Sequence, residues 1–273
     1  MSERGSSMRD LPSALTDAEA LNERLAGRHP AVFLDYDGTL TPIVDRPEDA
    51  IISESMREAV RALARRCTVC VVSGRDRPVV QELMGVDDLV VAGSHGFDIW
   101  SPEEGTLQHE GGAGFEDLLE KVTNRIRGEA GAIDGAMIES KKASVAVHYR
   151  LVSESQRSRI EVLVDVLLAE HPDELKVTPG KMVYEIQPKL DWDKGKAVLY
   201  LLEALGLDRE DIVALYLGDD VTDEHAFEAL SGRGIGIFVG DADDPEVAGR
   251  ATAADFVLSS TQQVERFLDT LAR

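Results

Sequence analysis

Apolar runs alternate along the chain with stretches in which apolar positions recur every three to four residues, and this alternation predicts successive strands and helices. Ala31-Val32-Phe33-Leu34 reads as a buried strand that runs into Asp35. Met56, Ala59, Val60 and Leu63 then share one face of a helix over 54–66, followed by a strand at 68–73, a helix over 77–84 and a strand at 89–93. The alternation returns late in the chain as a helix over 194–206, a strand at 212–217, a helix over 222–230, a strand at 236–239 and a last strand and helix between 255 and 271. Continuously apolar strands separated by helices call for a parallel sheet covered on both faces. Before the first strand, residues 1–29 predict a short helix with a frayed start.

The middle of the chain follows another pattern. After G-G-A-G at 111–114, which reads as a hinge, come a helix near 115–128 and strands near 136–139 and 143–150. An amphipathic helix bearing Ile160, Leu163, Val164, Leu167 and Leu168 and a strand pair around K-V-T-P-G-K-M-V-Y-E-I-Q-P complete the section. Extended chain would put Ala143, Val145, Val147 and Tyr149 on one side and Ser144, Ala146, His148 and Arg150 on the other. One apolar face under the helices and one polar face are therefore expected. The organisation is an α+β module at 111–188 inserted into an α/β domain made of 1–110 and 189–273.

Charge narrows the partners. Lys and Arg total 29 against 51 Asp and Glu, and the net charge of −22 opposes nonspecific binding to nucleic acid or to an anionic membrane. Any phosphate the protein binds must then be held by a local site. Met1–Pro30 is polar, and no window approaches roughly 18 consecutive apolar residues, so a cytoplasmic protein without a membrane span is the simplest reading. Cys67 and Cys70 form a C-x-x-C, but on one strand they would point to opposite faces, and zinc would lack further cysteine ligands. They read as two small buried side chains in a reducing compartment.

Strand ends carry the candidate chemistry. In a parallel α/β sheet, ligands bind beyond the carboxyl ends of the strands. Asp35 and Asp37 fall there, as do Ser73 and Arg75 of V-V-S-G-R, His95 of G-S-H-G, and Asp219, Asp220 and Asp223 of G-D-D-V-T-D. Five carboxylates gathered at neighbouring strand ends would repel one another unless a cation sat among them, and oxygen ligands with room for water suit Mg²⁺. Each acid taken singly could instead cap a helix or shape a turn.

Taken in order, D-Y-D-G-T at 35–39, Ser73, Lys194 opening a helix, and G-D-D-V-T-D at 218–223 resemble the motifs of the haloacid dehalogenase superfamily of phosphotransferases. E-S-K-K-A-S-V-A-V-H-Y-R, G-K-M-V-Y-E-I-Q-P and D-K-G-K-A extend the resemblance to its trehalose-6-phosphate phosphatase family. The resemblance implies a Rossmannoid parallel-sheet core with an inserted α+β cap. It also implies Mg²⁺-dependent hydrolysis of trehalose 6-phosphate, with Asp35 as nucleophile and Asp37 as acid and then base. Mg²⁺ would be held by Asp35, the carbonyl of Asp37 and Asp219, with Asp220 and Asp223 ordering its waters or Lys194. Ser73 and Lys194 would bind phosphoryl oxygens, and Arg75 the substrate.

Sugar recognition calls for directional hydrogen bonds from carboxylates and lysines. Glu139, Lys141 and Glu185 match the family's sugar-binding positions, and His95, His148, Arg150 and Lys181 are further candidates. The cap would open to admit sugar and close to exclude water, with Gly111, Gly112, Gly114 and Pro188 as hinges. A functional pairing with a trehalose-6-phosphate synthase follows from the same resemblance. The alternatives are a phosphatase of another sugar phosphate, such as sucrose 6-phosphate, or an inactive sugar-phosphate sensor.

Overall fold

In the computed structural model, which describes residues 6–44, 46–107, 115–180, 182–244, 247 and 250–273, the apolar runs align into one eight-stranded sheet. Compact packing divides the chain into two units, Met1–Leu107 with Asp193–Arg273, and Gln108–Trp192.

The first unit begins with β1 (Ser6–Ser7), α1 (Ala18–Leu25), β2 (His29–Leu34), α2 (Glu54–Ala64), β3 (Val69–Val72), α3 (Arg77–Met84), β4 (Val90–Gly93), β5 (Asp98–Ser101) and β6 (Gly105–Leu107). The second comprises α4 (Glu116–Glu129), β7 (Met137–Ser140), β8 (Val145–His148), α5 (Glu154–Glu170), β9 (Leu175–Gly180) and β10 (Val183–Pro188). The chain then returns to the first unit through α6 (Lys194–Ala204), β11 (Ile212–Gly218), α7 (Val221–Leu230), β12 (Ile235–Val239), β13 (Ala251–Thr252), β14 (Phe256–Leu258) and α8 (Thr261–Leu271).

The large sheet runs β14-β12-β11-β2-β3-β4-β5-β6. Its first six strands are parallel, and β5 and β6 close one edge antiparallel. Alternate residues of the central strands serve opposite faces. Val32, Leu34, Val71, Leu215 and Leu217 pack with Met56, Val60, Leu63, Val80, Val264 and Phe267 from α2, α3 and α8. Phe33, Cys70 and Tyr216 lie on the other side of the same strands and are equally buried. Ser53 caps α2 by accepting from the Met56 N–H at 3.1 Å, which supplies one of the helix's orphan donors with a partner.

Two expectations need correction here. The strand predicted at 68–73 spans only Val69–Val72, so Cys67 is not on it; it follows α2, where its thiol points to the Leu63 carbonyl at 3.8 Å. The β5–β6 hairpin was not predicted, because polar residues dominate its sequence and Ile99 is the one buried aliphatic side chain in D-I-W-S.

In the second unit the sheet order is β7-β8-β10-β9, all antiparallel. Leu119, Val122 and Ile126 of α4 and Ile160, Leu163, Val164 and Leu167 of α5 are buried, as are Val145, Val147 and Ile186 of the sheet. β8 ends at His148, so Arg150 lies in the turn beyond it, exposed, and does not extend the polar face. Lys181 and the expected hinge glycines Gly111, Gly112 and Gly114 lie outside the described residues. Among the described residues, no helix is long and apolar enough to cross a membrane.

Gly195 in α6 shows how closely helices meet on the sheet. A Cβ there would fall 2.3 Å from the His225 carbonyl oxygen of α7. Helix propensity alone favours alanine by about 1 kcal/mol, but overpacking against rigid backbone costs about 1–3 kcal/mol. Gly195→Ala is therefore expected to lower stability, read as an earlier urea midpoint with an unchanged slope.

Candidate active site

Two acidic turns, at the carboxyl ends of β2 and β11, meet one lysine at the start of α6. The Asp35 N–H donates to the Leu217 carbonyl at 2.9 Å, which fixes the exit of β2 against β11. Between Asp35 and Asp37, Tyr36 is buried and donates its hydroxyl to the Ala50 carbonyl at 2.6 Å. Gly38 then turns with φ +75°, and a Cβ there would fall 2.0 Å from Asp219 Oδ2. Only glycine meets both demands.

Lys194 is buried, with Nζ 3.0 Å from Asp35 Oδ1 and 2.7 Å from Asp223 Oδ1. Burial works against its charge, but the two carboxylates outweigh that and hold its pKa above the ordinary lysine value. Asp223 is fully buried and uses both oxygens. Oδ1 accepts from Lys194 and from the Tyr216 hydroxyl at 2.6 Å, and Oδ2 accepts from the N–H groups of Asp219 at 3.1 Å and Asp220 at 2.9 Å. Asp220 and Asp223 also form the capping box that starts α7.

Asp35, Asp219 and Asp223 each offer a carboxylate oxygen within 4.8 Å of the others, an arrangement able to hold a metal ion. Burial raises the Asp35 carboxyl to about 7, with the Asp223 charge adding and Lys194 opposing. Burial likewise raises Asp219 to about 8, with Asp35 and Asp223 adding to it. Asp219 Oδ1 is buried without a protein hydrogen-bond partner. An orphaned, ionisable oxygen among like charges is the chemistry that a divalent cation satisfies, so the residues fit one. Beside these strand ends lies a cleft of about 450 Å³ lined by Gly38, Asp219, Asp220 and Gly240.

On the β3 side, Ser73 is buried and its Oγ accepts from the Arg75 N–H at 3.1 Å. Arg75 grips Asp37 with two hydrogen bonds, Nε to Oδ2 and Nη2 to Oδ1, both 2.6 Å. Arg75, expected to bind substrate, here pairs with an acid, and that acid is Asp37. His95 follows β4 in a left-handed turn whose N–H donates to the Ser73 carbonyl at 2.8 Å.

The polar face of the second unit brings its own candidates together. Glu139, Ala146, Glu185 and Thr178 stand in register across the four strands. Lys141 Nζ lies 3.1 Å from Glu185 Oε1, which also accepts from the Ser144 hydroxyl at 2.6 Å. His148 Nε2 is 2.9 Å from Glu139 Oε2. Ser144 was not among the predicted site residues, and its bond to Glu185 explains why it is buried on a face expected to be polar.

Paired aspartates at one strand end, a buried lysine and an acidic turn at the exit of the neighbouring strand define a protein of the haloacid dehalogenase type. Comparison with known proteins narrows this: the trehalose-phosphatase family profile matches residues 33–260, and the chain belongs to that family. A trehalose-phosphate phosphatase of Mycobacterium bovis is 41% identical over 268 residues, covering 97% of this chain and 67% of its own length. A trehalose 6-phosphate phosphatase of Zea mays is 39% identical over 285 residues, covering 99% and 77% respectively. Among solved structures, the C-terminal domain of the Candida albicans trehalose-6-phosphate phosphatase shares the fold with a TM-score of 0.72 at 24% identity, over 99% of each chain.

The raised carboxyls carry a pH prediction. Because folded Asp35 and Asp219 bind protons up to about pH 7 and 8 while unfolded aspartate releases them near 4, the metal-free native state binds more protons than the unfolded chain in that window. These two groups therefore lower its stability as pH rises from about 4 to 8. Added Mg²⁺ should raise the melting temperature more at pH 8 than at pH 6. Asp219→Asn should raise the metal-free melting temperature at pH 8 and remove most of the Mg²⁺ shift, both measurable by calorimetry.

Proposed function

We propose that this protein hydrolyses trehalose 6-phosphate to trehalose and phosphate, with Mg²⁺ as cofactor and an aspartyl-phosphate intermediate on Asp35. The observation that carries the chemistry is Asp35 itself, buried at a strand end with Lys194 Nζ 3.0 Å away. Carboxylate attack on phosphorus splits hydrolysis into two in-line displacements. Bound Mg²⁺, held by Asp35, Asp219 and the Asp37 carbonyl, supplies charge neutralisation for the phosphoryl oxygens.

In the first step a carboxylate oxygen of Asp35 forms a bond to phosphorus as the bond to the sugar oxygen breaks, and Asp37 gives that oxygen its proton. In the second, Asp37 takes a proton from the attacking water, whose oxygen replaces the Asp35 oxygen on phosphorus. Lys194 and the buried Ser73 hydroxyl face the charge that spreads over the transferring phosphoryl group. Asp223 acts through Lys194 and through the turn bearing Asp219, since both its oxygens are committed to those neighbours.

Selection of the sugar falls in this reading to the polar face of the second unit, acting as a specificity cap, with Glu139, Lys141 and Glu185 as hydrogen-bonding groups for hydroxyls. Pairing with a synthase that supplies the substrate, and a cytoplasmic setting that suits the free thiols Cys67 and Cys70, belong to the same proposal.

Purified protein with Mg²⁺, offered trehalose 6-phosphate, sucrose 6-phosphate and glucose 6-phosphate in parallel, should release phosphate mainly from the first; release mainly from another sugar would overturn the substrate. Asp35→Asn should lower release at least ~10³-fold with an unchanged melting curve. Glu185→Ala should reduce kcat/KM for trehalose 6-phosphate by about 10- to 100-fold and that for an aryl phosphate by less than about 3-fold, and equal losses would remove Glu185 from sugar recognition.

A further inference from the structure

Ser94 and His95 are consecutive non-glycine residues in the left-handed region, with φ +50° and +57°, and Gly96 follows at +93°. Side chains rarely adopt this backbone, and such strain persists only where surrounding contacts over-determine it. The hydrogen bonds donated by Ser94 and by the His95 N–H lead to residues 73–76. The Ser94 hydroxyl donates to Asp76 Oδ1 at 2.5 Å, its N–H donates to the Arg75 carbonyl at 2.7 Å, and the His95 N–H donates to the Ser73 carbonyl at 2.8 Å. The His95 ring closes over the remaining residue, since a Cβ on Gly74 would fall 2.7 Å from its Cε1.

The strained turn thus fastens the backbone of Arg75 on both sides. From that backbone the guanidinium reaches the Pro47 carbonyl through Nη1 at 2.7 Å and both oxygens of Asp37 through Nε and Nη2. Among the described residues, these two are the side-chain hydrogen bonds made to the Asp37 carboxylate. A bidentate pair fixes the plane of a carboxylate as well as its position, and each Asp37 oxygen keeps a lone pair for a proton.

Resting on the aspartyl-phosphate reading above, we propose that Ser94 is a positioning residue for the hydrolytic half-reaction. Its left-handed turn sets Arg75, and Arg75 aims Asp37 at the water that attacks the aspartyl-phosphate. In that step the water oxygen bonds to phosphorus, the bond from phosphorus to the Asp35 oxygen breaks, and the water proton passes to Asp37. Ser94 contacts neither phosphorus nor water. A misaimed base slows this step while leaving attack by Asp35 intact, and misplacement by about 1 Å can cost on the order of 10²-fold in rate.

The test uses p-nitrophenyl phosphate with Mg²⁺ and the full chain in excess. Nitrophenolate leaves without a proton, so its appearance reports attack by Asp35, while phosphate appearance reports hydrolysis of the intermediate. In Ser94→Ala, nitrophenol release should stay within about 3-fold of wild type, phosphate release should fall about 10- to 100-fold, and acid-quenched protein should show a phosphoryl mass increase. Ser94→Asn should restore phosphate release to within about 3-fold, because asparagine tolerates the left-handed region and its amide N–H can donate to Asp76. Asp76→Asn, which leaves the Ser94 backbone bonds in place, should show the same split with a smaller loss and serves if Ser94→Ala fails to fold. Equal slowing of both steps, or wild-type phosphate release in Ser94→Ala and Asp76→Asn, would overturn the proposal alone. Absence of nitrophenol release from wild type would overturn the aspartyl-phosphate reading and this proposal with it.

Discussion

Everything at the strand ends depends on Lys194 being buried between Asp35 and Asp223. A lone ammonium taken out of water would cost several kcal/mol, and so would either carboxylate. Together they form a network in which each charge has a partner at 3.0 Å or less. Removing Lys194 leaves two buried carboxylates without their cation, a loss of about 3–5 kcal/mol. Lys194 is also the first residue of α6, the helix with which the chain re-enters the first unit two residues after Trp192. The ion network therefore serves as the register pin for that re-entry. Gly195 permits the accompanying close approach of α6 to α7.

Asp223 extends the constraint to the rest of the acidic turn. With one oxygen on Lys194 and Tyr216 and the other on two successive backbone N–H groups, it has no remaining freedom. The turn it organises places Asp219 toward Asp35, and burial first, then like charge, raises both carboxyls, with Asp223 supplying that charge for Asp35 and Asp35 and Asp223 for Asp219. One lysine cannot neutralise three aspartates. The fold thus keeps a local excess of negative charge next to an orphaned oxygen, a destabilising arrangement by itself that a bound divalent cation would relieve.

How legible this was in the sequence depends on the range of the interactions. The apolar runs located the parallel strands because burial on both faces leaves no polar alternation to confuse them, and α3 begins and ends where its periodicity begins and ends. The β5–β6 hairpin escaped because its edge strands bury little apolar surface. Asp35, Asp37 and Asp219 could be read as site candidates since strand-end position is a local property. The Arg75–Asp37 pair spans 38 residues, and charge alone does not select one partner among 51 acids. The strained Ser94–His95 turn was signalled only by its flanking glycines. Left-handed backbone at serine and histidine has no sequence signature, because tertiary contacts impose it.

On the second unit, the candidate sugar-binding groups already satisfy one another. Glu185 holds Lys141 and the Ser144 hydroxyl, and Glu139 holds His148. Such pairing removes rotamer freedom before any ligand arrives, so a sugar meets acceptors whose ordering cost has been met in folding. It also sets the discrimination. A carboxylate has about four lone-pair sites, and a ligand that covers it without supplying a hydroxyl leaves a charged acceptor desolvated and unpaired. A site of this kind rejects analogues that lack a hydroxyl far more strongly than those that merely add bulk. Under the proposed function, the inserted sheet selects ligands by the placement of their hydroxyls, whereas the ion network around Lys194 responds to the phosphoryl group whatever alcohol carries it.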